Sequence, residues 1–226
     1  MRLLVFGKTG QVAQALARRC PDAVDLQFLG RDQADLSNPN SCARAIALAA
    51  EDAGVDAVIN AAAWTAVDAA ETAEAEATVV NSDAPAAMAR ACALACIPFI
   101  QISSDYVFDG AGTHAYAPDH PIGPLNAYGR SKCAAELAIR ASGARHLILR
   151  TSWVFSASGT NFVTKMLDVA AARDRLSVVS DQTGGPTPAA SIADALFVAA
   201  DQIVAGHPGG TYHVCGHPYV SRADFA

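Results

Sequence analysis

The chain has 226 residues, of which 52% are apolar and 17% charged, so it can bury a sizeable core and does not have the composition of a disordered segment. Its 16 Lys and Arg against 22 Asp and Glu leave a net charge of −6, which argues against nucleic acid as a partner. No apolar run reaches the roughly 18 residues of a membrane span, and the N-terminal MRLLVFGKTG has no cleavage signal, so we expect a cytoplasmic protein.

Short β-branched or apolar runs alternate with alanine-rich stretches, which is typical of a parallel sheet with crossover helices. The predicted strands cover 3–6, 25–29, 57–60, 99–103, 146–150, 177–179 and 211–215. The predicted helices cover 12–19, 39–53, 84–95, 128–142, 162–172 and 191–204. The fold class is therefore α/β, a Rossmann-like doubly wound parallel sheet.

The six cysteines have no paired C-x-x-C spacing. Cys92 and Cys96 lie one helical turn apart, but two thiols alone make a poor zinc site, and small buried thiols are commoner in such folds. We expect structural cysteines and no metal site.

The first strand is followed by Gly7-Lys8-Thr9-Gly10-Gln11-Val12-Ala13. This G-x-x-G-x-x-A spacing between a strand and a helix favours a tight turn that directs backbone N–H groups at a pyrophosphate. An ordinary glycine turn is the alternative, and the position of the motif at the start of the fold argues against it. We therefore predict that Gly7, Thr9, Gly10, Gln11 and Val12 bind a dinucleotide.

The end of the second strand is expected to contact the ribose. Arg31 is the first charged residue after this strand and favours the 2′-phosphate of NADPH. The neighbouring Asp32 is able to bind the ribose of NADH, so NADH is the alternative cofactor. Asp35 and Leu36 are candidates for the adenine. The third strand ends in Ala61, Ala62 and Ala63, whose small side chains let a cofactor lie against the backbone.

Tyr128 and Lys132 stand four residues apart on a predicted helix and so share one face. Reduction of a carbonyl needs a proton on oxygen, and a nearby cation lowers the pKa of a tyrosine toward neutrality. Ser104 at the end of the fourth strand provides a hydroxyl for the substrate oxygen. A solvated helix face is the alternative for the Tyr–Lys pair, and the convergence with Ser104 favours catalysis.

Longer motifs run in order through the chain. They are Gly7-Lys8-Thr9-Gly10-Gln11, Asn60-Ala61-Ala62-Ala63-Trp64-Thr65-Ala66-Val67-Asp68, Ser103-Ser104-Asp105-Tyr106-Val107-Phe108-Asp109-Gly110, Pro124-Leu125-Asn126-Ala127-Tyr128-Gly129, Arg150-Thr151-Ser152-Trp153-Val154-Phe155 and Asp181-Gln182-Thr183-Gly184-Gly185-Pro186-Thr187. Together they resemble the extended short-chain dehydrogenase/reductases, and within these the dTDP-4-dehydrorhamnose reductase family.

The resemblance implies reduction of the 4-keto group of dTDP-4-dehydro-6-deoxy-L-mannose to dTDP-L-rhamnose, usually with NADPH. It implies Ser104, Tyr128 and Lys132 as catalytic residues, with Tyr128 and Lys132 also contacting the cofactor. It implies Ser104, Asp105, Tyr128 and Trp153 as substrate contacts. Residues 1–150 are then expected to be the NAD(P)-binding domain, and residues 151–226 a mixed segment that adds to the sheet and to a smaller substrate lobe.

Three departures from the family pattern affect these expectations. Ser104 stands where the family usually has threonine, and the hydroxyl is kept. The predicted first helix has no acidic residue, so the magnesium-linked dimer of some members is not carried over, and a homodimer stays open. Family members continue past the position of Ala226, so we expect an incomplete substrate lobe.

Four further features of the sequence are interpreted separately. Trp64 is either a core or a loop residue, and Asp68 with Glu71 is expected to form a solvated face. His213 is expected to be a core histidine rather than a ligand. The turn-rich Asp181–Pro188 is expected to be a loop of the substrate lobe. The open alternatives are a reductase or epimerase of another nucleotide sugar and a non-enzymatic, NADP-binding regulatory subunit.

Overall fold

The structure, a computed structural model, describes residues 1–173 and 175–226, the side chains of residues 52 and 53 excepted. Alternating apolar runs form the strands, which are β1 (Arg2–Phe6), β2 (Asp25–Leu29), β3 (Ala57–Asn60), β4 (Phe99–Ser104), β5 (His146–Thr151), β6 (Val154–Phe155), β7 (Thr183–Gly184), β8 (Thr187–Pro188), β9 (Gly210–His213) and β10 (Val220–Ser221).

The helices connect these strands and cover the sheet. They are α1 (Gln11–Arg19), α2 (Pro39–Ala53), α3 (Val67–Ala70), α4 (Glu74–Thr78), α5 (Ala84–Leu94), α6 (Ala127–Ala141), α7 (Phe162–Ala172), α8 (Ala189–Val204) and α9 (Arg222–Phe225). A π-helical turn, Val79–Asp83, joins α4 to α5, and a 3-10 turn, Asp105–Val107, follows β4. No helix of the described residues is long and apolar enough to cross a bilayer.

Six strands of the described chain form one parallel sheet in the order β2-β1-β3-β4-β5-β9. The chain leaves β1 toward β2 on one side and later returns to place β3 on the other side. The strand order therefore reverses between β1 and β3. Ligands of doubly wound sheets bind outside the carboxyl ends of the strands at such a reversal.

Alternate side chains of the strands point to opposite faces, and each face carries its own apolar cluster. Leu3, Val5 and Ile59 pack under α1 and α8, whereas Leu4 and Phe6 pack under α2, α5 and α6. All five side chains are fully buried. Both faces are covered by helices, as the Rossmann-like fold class predicted.

The sequence located the main elements to within two residues, with one exception. The predicted strand over 177–179 is wrong, because these residues pair with no described strand and Val179 is 52% exposed. A short β-branched run forms a strand only where a ladder or an apolar face receives it. The two-residue pairs β6–β8 and β7–β10 were not predicted, since they are too short to show a period.

All six cysteines are free thiols, as expected. Cys92 is buried, and burial raises its pKa to about 12, so it is an inert packing residue. Cys96 is exposed at the end of α5. Within the described residues, no group of three or more His, Cys, Asp or Glu is placed to hold a metal.

Candidate active site

The turn after β1 lies directly against the end of β3. Gly7 has a φ of 99°, and a Cβ added there would lie 2.9 Å from the backbone nitrogen of Ala62 and 3.0 Å from the carbonyl of Ala61. Only glycine combines this φ with such a close approach at low cost. Gly7, Ala61 and Ala62 therefore form one surface at the reversal of strand order.

The N-terminus of α1 begins beside this surface. Gly10 is its N-cap and provides no side-chain hydrogen bond, and the first turn contains no acidic residue. The N–H groups of the first turn and the positive end of the helix dipole thus have no side-chain partner. The residues present fit an anionic group such as the pyrophosphate of a dinucleotide.

Gly7→Ala is expected to weaken NADPH binding about tenfold and to lower the free energy of unfolding by about 1–3 kcal/mol, because the methyl group strains φ and collides with β3. Fluorescence titration with NADPH and urea denaturation measure the two effects. Gly54→Ala is the matched control, since Gly54 has a φ of 64° with nothing within 4 Å of the added Cβ. A Gly7→Ala variant that binds NADPH as tightly as Gly54→Ala contradicts this account of the turn.

The side chain of Gln11 contacts a different part of the chain. Its Oε1 accepts hydrogen bonds from Ser156 Oγ at 2.8 Å and from Asn161 Nδ2 at 3.0 Å. Asn161 also caps α7 through a capping box with Thr164. The side-chain oxygen of Gln11 thus connects the segment before α7 to the turn after β1. The backbone N–H of Gln11 stays directed toward the proposed phosphate site at the start of α1.

The predicted ribose and adenine residues lie beyond the end of β2. Arg31 is exposed there, Asp35 is half-buried and Leu36 is buried. Asp35 Oδ1 accepts a hydrogen bond from the backbone N–H of Ser37 at 2.8 Å. That bond lowers the pKa of Asp35, and the charge of Arg31 acts in the same direction. A cation and a fixed carboxylate therefore stand together at this edge of the sheet.

The helix α6 is fixed against the end of β4 by side chains on three successive turns. Tyr128 lies beside Ser104, Lys132 Nζ donates to the carbonyl oxygen of Ile102 at 2.8 Å, and Glu136 Oε1 accepts from Ser103 Oγ at 2.7 Å. The spacing of four residues puts the three side chains on one face of the helix. The structure thus brings together Ser104, Tyr128 and Lys132, which sequence reasoning had singled out.

The start of α6 is held by residues far away in the sequence. Asn126 is the N-cap and accepts from the backbone N–H of Gly129 at 2.7 Å. Glu71 Oε1 accepts from the N–H of Ala127 at 2.8 Å. Asp68 and Glu71 are both exposed, in agreement with the solvated face expected for them, and Glu71 in addition satisfies an otherwise unpaired donor of the first turn of α6.

Asn81, in the π-helical turn, was not singled out by the sequence. Its side chain accepts from the N–H of Trp64 at 2.8 Å, and its Nδ2 donates to the carbonyl of Trp64 and to Ser131 Oγ on α6, each at 3.0 Å. Trp64 is half-buried and packs in the cluster that contains Tyr128. π-helical turns occur often at functional sites, which is the one local signal that points to Asn81.

The electrostatics of Tyr128 differ from the sequence-based expectation. Burial raises the pKa of Tyr128 to about 12, the hydrogen bond with Ser104 opposes this, and the Asp105 charge adds to it. The expected lowering by Lys132 is wrong for this structure, because burial is the largest influence on the pKa of Tyr128. Lys132 Nζ donates instead to the Ile102 carbonyl. A pKa of about 12 keeps the phenol protonated near neutral pH, which is the form that a proton donor requires.

The Ser104 hydroxyl connects the surroundings of Tyr128 to a carboxylate. Ser104 Oγ donates to Asp105 Oδ1 at 3.0 Å, and its interaction with Tyr128 lowers the pKa of the phenol. Burial raises the pKa of Asp105, while its bond with Ser104 and the charge of Arg222 lower it. The ring of Tyr106 meets that of Tyr128 edge to face at 5.5 Å and limits access of water on that side.

Lys132 is expected to make the free energy of unfolding depend on pH. Burial lowers its pKa from 10.5 to about 8, partly opposed by the charge of Glu136. Between pH 8 and 10.5 the unfolded chain binds the proton that the folded chain has lost, so this group makes stability rise with pH through that window.

The Lys132→Met variant should lack this contribution. Relative to the variant, the wild-type protein is expected to gain up to about 3 kcal/mol of unfolding free energy between pH 7.5 and 10.5, the equivalent of the pKa shift. Urea denaturation of both proteins across this range measures the difference between their unfolding free energies. The titration of other groups cancels in this difference, because both proteins contain them. A constant difference contradicts a buried, proton-releasing Lys132.

Trp153 lies beyond the end of β5 in a strained backbone conformation. Its φ is 45°, a left-handed value that is uncommon for a bulky residue and is often retained for function. Its half-buried indole lies against Gly184, where an added Cβ would come within 2.6 Å of the ring. The Asp181–Pro188 segment thus packs against Trp153, and the carbonyl of Gly185 accepts a hydrogen bond from Ser152 Oγ at 2.9 Å.

A buried ion pair lies behind the site. Arg150 donates from Nε and Nη2 to the two carboxylate oxygens of Glu136 at 2.8 and 2.7 Å, and both side chains are at most 3% exposed. Arg150 Nη1 also donates to the Pro118 carbonyl at 3.0 Å and lies 3.4 Å from His213 Nε2. His213 is half-buried beside Phe108, in keeping with the core position expected for it.

These features define a class of protein. A parallel doubly wound sheet, a glycine turn at the reversal of strand order, and Ser104, Tyr128 and Lys132 at one strand end are the arrangement of a nicotinamide-dependent short-chain dehydrogenase/reductase.

Comparison with known proteins narrows the class to a family. The model of the RmlD substrate binding domain family matches residues 1–226. The dTDP-4-dehydrorhamnose reductase of Sinorhizobium fredii is 42% identical over 229 residues, which cover 100% of this chain and 76% of the relative. That of Burkholderia thailandensis is 43% identical over 231 residues, with the same coverage. The chain belongs to the RmlD family, that of these dTDP-4-dehydrorhamnose reductases.

A solved structure agrees with this assignment. The crystal structure of dTDP-4-dehydrorhamnose reductase from Bacillus anthracis in complex with NADP has a TM-score of 0.90 and 29% sequence identity. The match covers 99% of this chain and 77% of that one.

Proposed function

We propose that the protein reduces the 4-keto group of dTDP-4-dehydro-6-deoxy-L-mannose to dTDP-L-rhamnose with NADPH. The observation that carries the proposal is the convergence of Tyr128, Ser104 and Lys132 at the carboxyl end of β4, in a chain 42–43% identical over its whole length to two reductases of that name.

Each of these residues has a chemical role in the proposal. When bound, NADPH supplies the hydride that reaches C4 of the sugar. Tyr128 gives its phenolic proton to the C4 oxygen, and its raised pKa holds that proton until negative charge develops on the oxygen. Ser104 fixes the direction of the phenol and provides a hydroxyl beside the carbonyl. Lys132 places a cation next to the reacting groups, and Ile102 holds it in position.

The remaining assignments follow the same geometry. We propose that the dinucleotide lies along Gly7 and Gly10 to Val12, Arg31, Asp35 and Leu36, and Ala61 to Ala63, with Thr9 at the exposed rim of the turn. Arg31 supports a preference for the 2′-phosphate of NADPH. Asp105 and Trp153 are proposed substrate contacts.

The two proposed parts of the chain both contribute strands to the six-stranded sheet. Residues 1–150 form the cofactor domain in this proposal, and residues 151–226 provide β9 to its sheet and the segments around Trp153 to the substrate side. We place the enzyme in the cytoplasm, where metabolism regenerates reduced nicotinamide cofactors.

The test is turnover of the purified protein. With NADPH and dTDP-4-dehydro-6-deoxy-L-mannose we expect loss of nicotinamide absorbance and formation of dTDP-L-rhamnose, identified by chromatography against the authentic sugar nucleotide. Parallel reactions with NADH and with other 4-keto nucleotide sugars measure both preferences. NADPH binding without oxidation by any of these sugars would favour a regulatory subunit, and epimerised product would favour an epimerase.

A further inference from the structure

Arg222 begins α9, and its guanidinium lies near both Trp153 and Asp105, the two residues proposed to contact the sugar nucleotide. Its Cζ stands 3.7 Å from the centroid of the Trp153 ring. It also lies near Tyr106 and Asp105, whose side chains interact with its charge. Sequence analysis singled out Trp153 and Asp105 but not Arg222, which lies 69 residues beyond Trp153.

The contact with Trp153 is part of a larger packed cluster. Arg222 also lies 5.3 Å from the ring centroid of Phe162, and Phe225 stacks on Phe162 at 5.4 Å. The backbone N–H of Arg222 donates to the carbonyl of Gln182 at 3.0 Å. Because Gly184 also lies against the indole, Trp153 packs against both the Asp181–Pro188 segment and Arg222.

Arg222 sets a cation beside Trp153, a proposed contact of the anionic sugar nucleotide. The chain has a net charge of −6, and Lys132 is buried and bonded to a backbone carbonyl. Arg222 is half-buried, and burial lowers its pKa while Tyr106 and Asp105 raise it. An arginine stacked on an aromatic face keeps its charge and its planar set of donors, which a lysine does not reproduce.

We propose that Arg222 is a positioning residue for the sugar nucleotide, fixing the Trp153 indole and setting a positive charge beside Asp105. This inference rests on the proposed function for the identity of the substrate. It assigns no proton or hydride transfer to Arg222. Its loss therefore impairs sugar-nucleotide binding and leaves the chemistry of Tyr128 in place.

The test compares Arg222→Met, which keeps an unbranched apolar stem, with Arg222→Lys, which keeps the charge and loses the planar stack. For Arg222→Met we expect the KM for the sugar nucleotide to rise about tenfold, kcat to change by less than about threefold, and the KM for NADPH to stay constant. Arg222→Lys should fall between Arg222→Met and the wild-type protein.

Arg19→Met is the matched control, because Arg19 is an exposed arginine of α1 whose ion pair with Asp194 lies outside the site. It should leave both KM values unchanged. A merely structural Arg222 would raise the two KM values together or lower only the thermal stability. If Arg222→Met does not fold, Arg222→Lys with a wild-type KM for the sugar nucleotide overturns the inference.

Binding of dTDP-L-rhamnose in the presence of NADP, measured by calorimetry, separates this inference from the proposed function. A wild-type protein that binds the product but reduces no ketone refutes the proposed reaction, and Arg222→Met must still weaken binding about tenfold. An Arg222→Met variant that binds as tightly as the wild-type protein overturns the inference alone. A wild-type protein that does not bind the product overturns both.

Discussion

Tyr128→Phe is expected to lower kcat about a hundredfold or more while the KM for NADPH stays within about twofold. The substitution removes a single oxygen, which in the folded protein lies beside Ser104. Without it, no proton donor is fixed beside the developing alkoxide, although the ring still packs against Tyr106. Steady-state kinetics with NADPH and the ketone substrate measure the loss.

Tyr116→Phe is the control for this substitution. The Tyr116 hydroxyl donates to Asp109 Oδ1 in an exposed loop, and the ring stacks on Phe108 away from Ser104. Removing that hydroxyl is expected to leave kcat unchanged. A Tyr128→Phe variant with the turnover of Tyr116→Phe would refute Tyr128 as the proton donor and leave the proton source to Ser104 or solvent.

Sequence reasoning located the sheet and the pair on α6 because both depend on local patterns. Buried parallel strands appear as continuous apolar runs, and a spacing of four residues places Tyr128 and Lys132 on one helix face whatever packs against them. The position of Ser104 at a strand end then follows from the fold, since neighbouring parallel strands end at one edge of the sheet.

The partners of these residues could not be obtained in the same way. That Lys132 Nζ donates to the Ile102 carbonyl, and that burial raises the pKa of Tyr128, depends on how deeply α6 sits on β4. Glu71 and Asn81 reach α6 from 50 or more residues away, and no sequence pattern around either residue identifies its partner on α6. The predicted strand over 177–179 failed for the same reason, because pairing is decided by a distant partner.

Glu136→Leu is expected to lower the free energy of unfolding by about 3–5 kcal/mol, because it leaves the Arg150 guanidinium charged and buried without its carboxylate. It also removes the acceptor of Ser103 and of Arg140. Burial alone would raise the pKa of Glu136, but the hydrogen bonds from Arg150 and Ser103 lower it overall. The pair therefore stabilises the fold above the ordinary pKa of glutamate and is lost as the pH falls through the lowered value.

Urea denaturation of single and double variants separates the pair from its surroundings. Arg19→Met breaks an ion pair whose side chains are about half exposed and should cost less than about 1 kcal/mol. Glu136→Leu combined with Arg150→Met should cost less than the two single losses together, because neither charge is then left alone. Additive losses would mean that the two side chains act independently. Glu136 lies one turn beyond Lys132 on α6 and accepts a hydrogen bond from Ser103 on β4. Non-additive losses would therefore indicate that the buried ion pair helps to place α6 on β4.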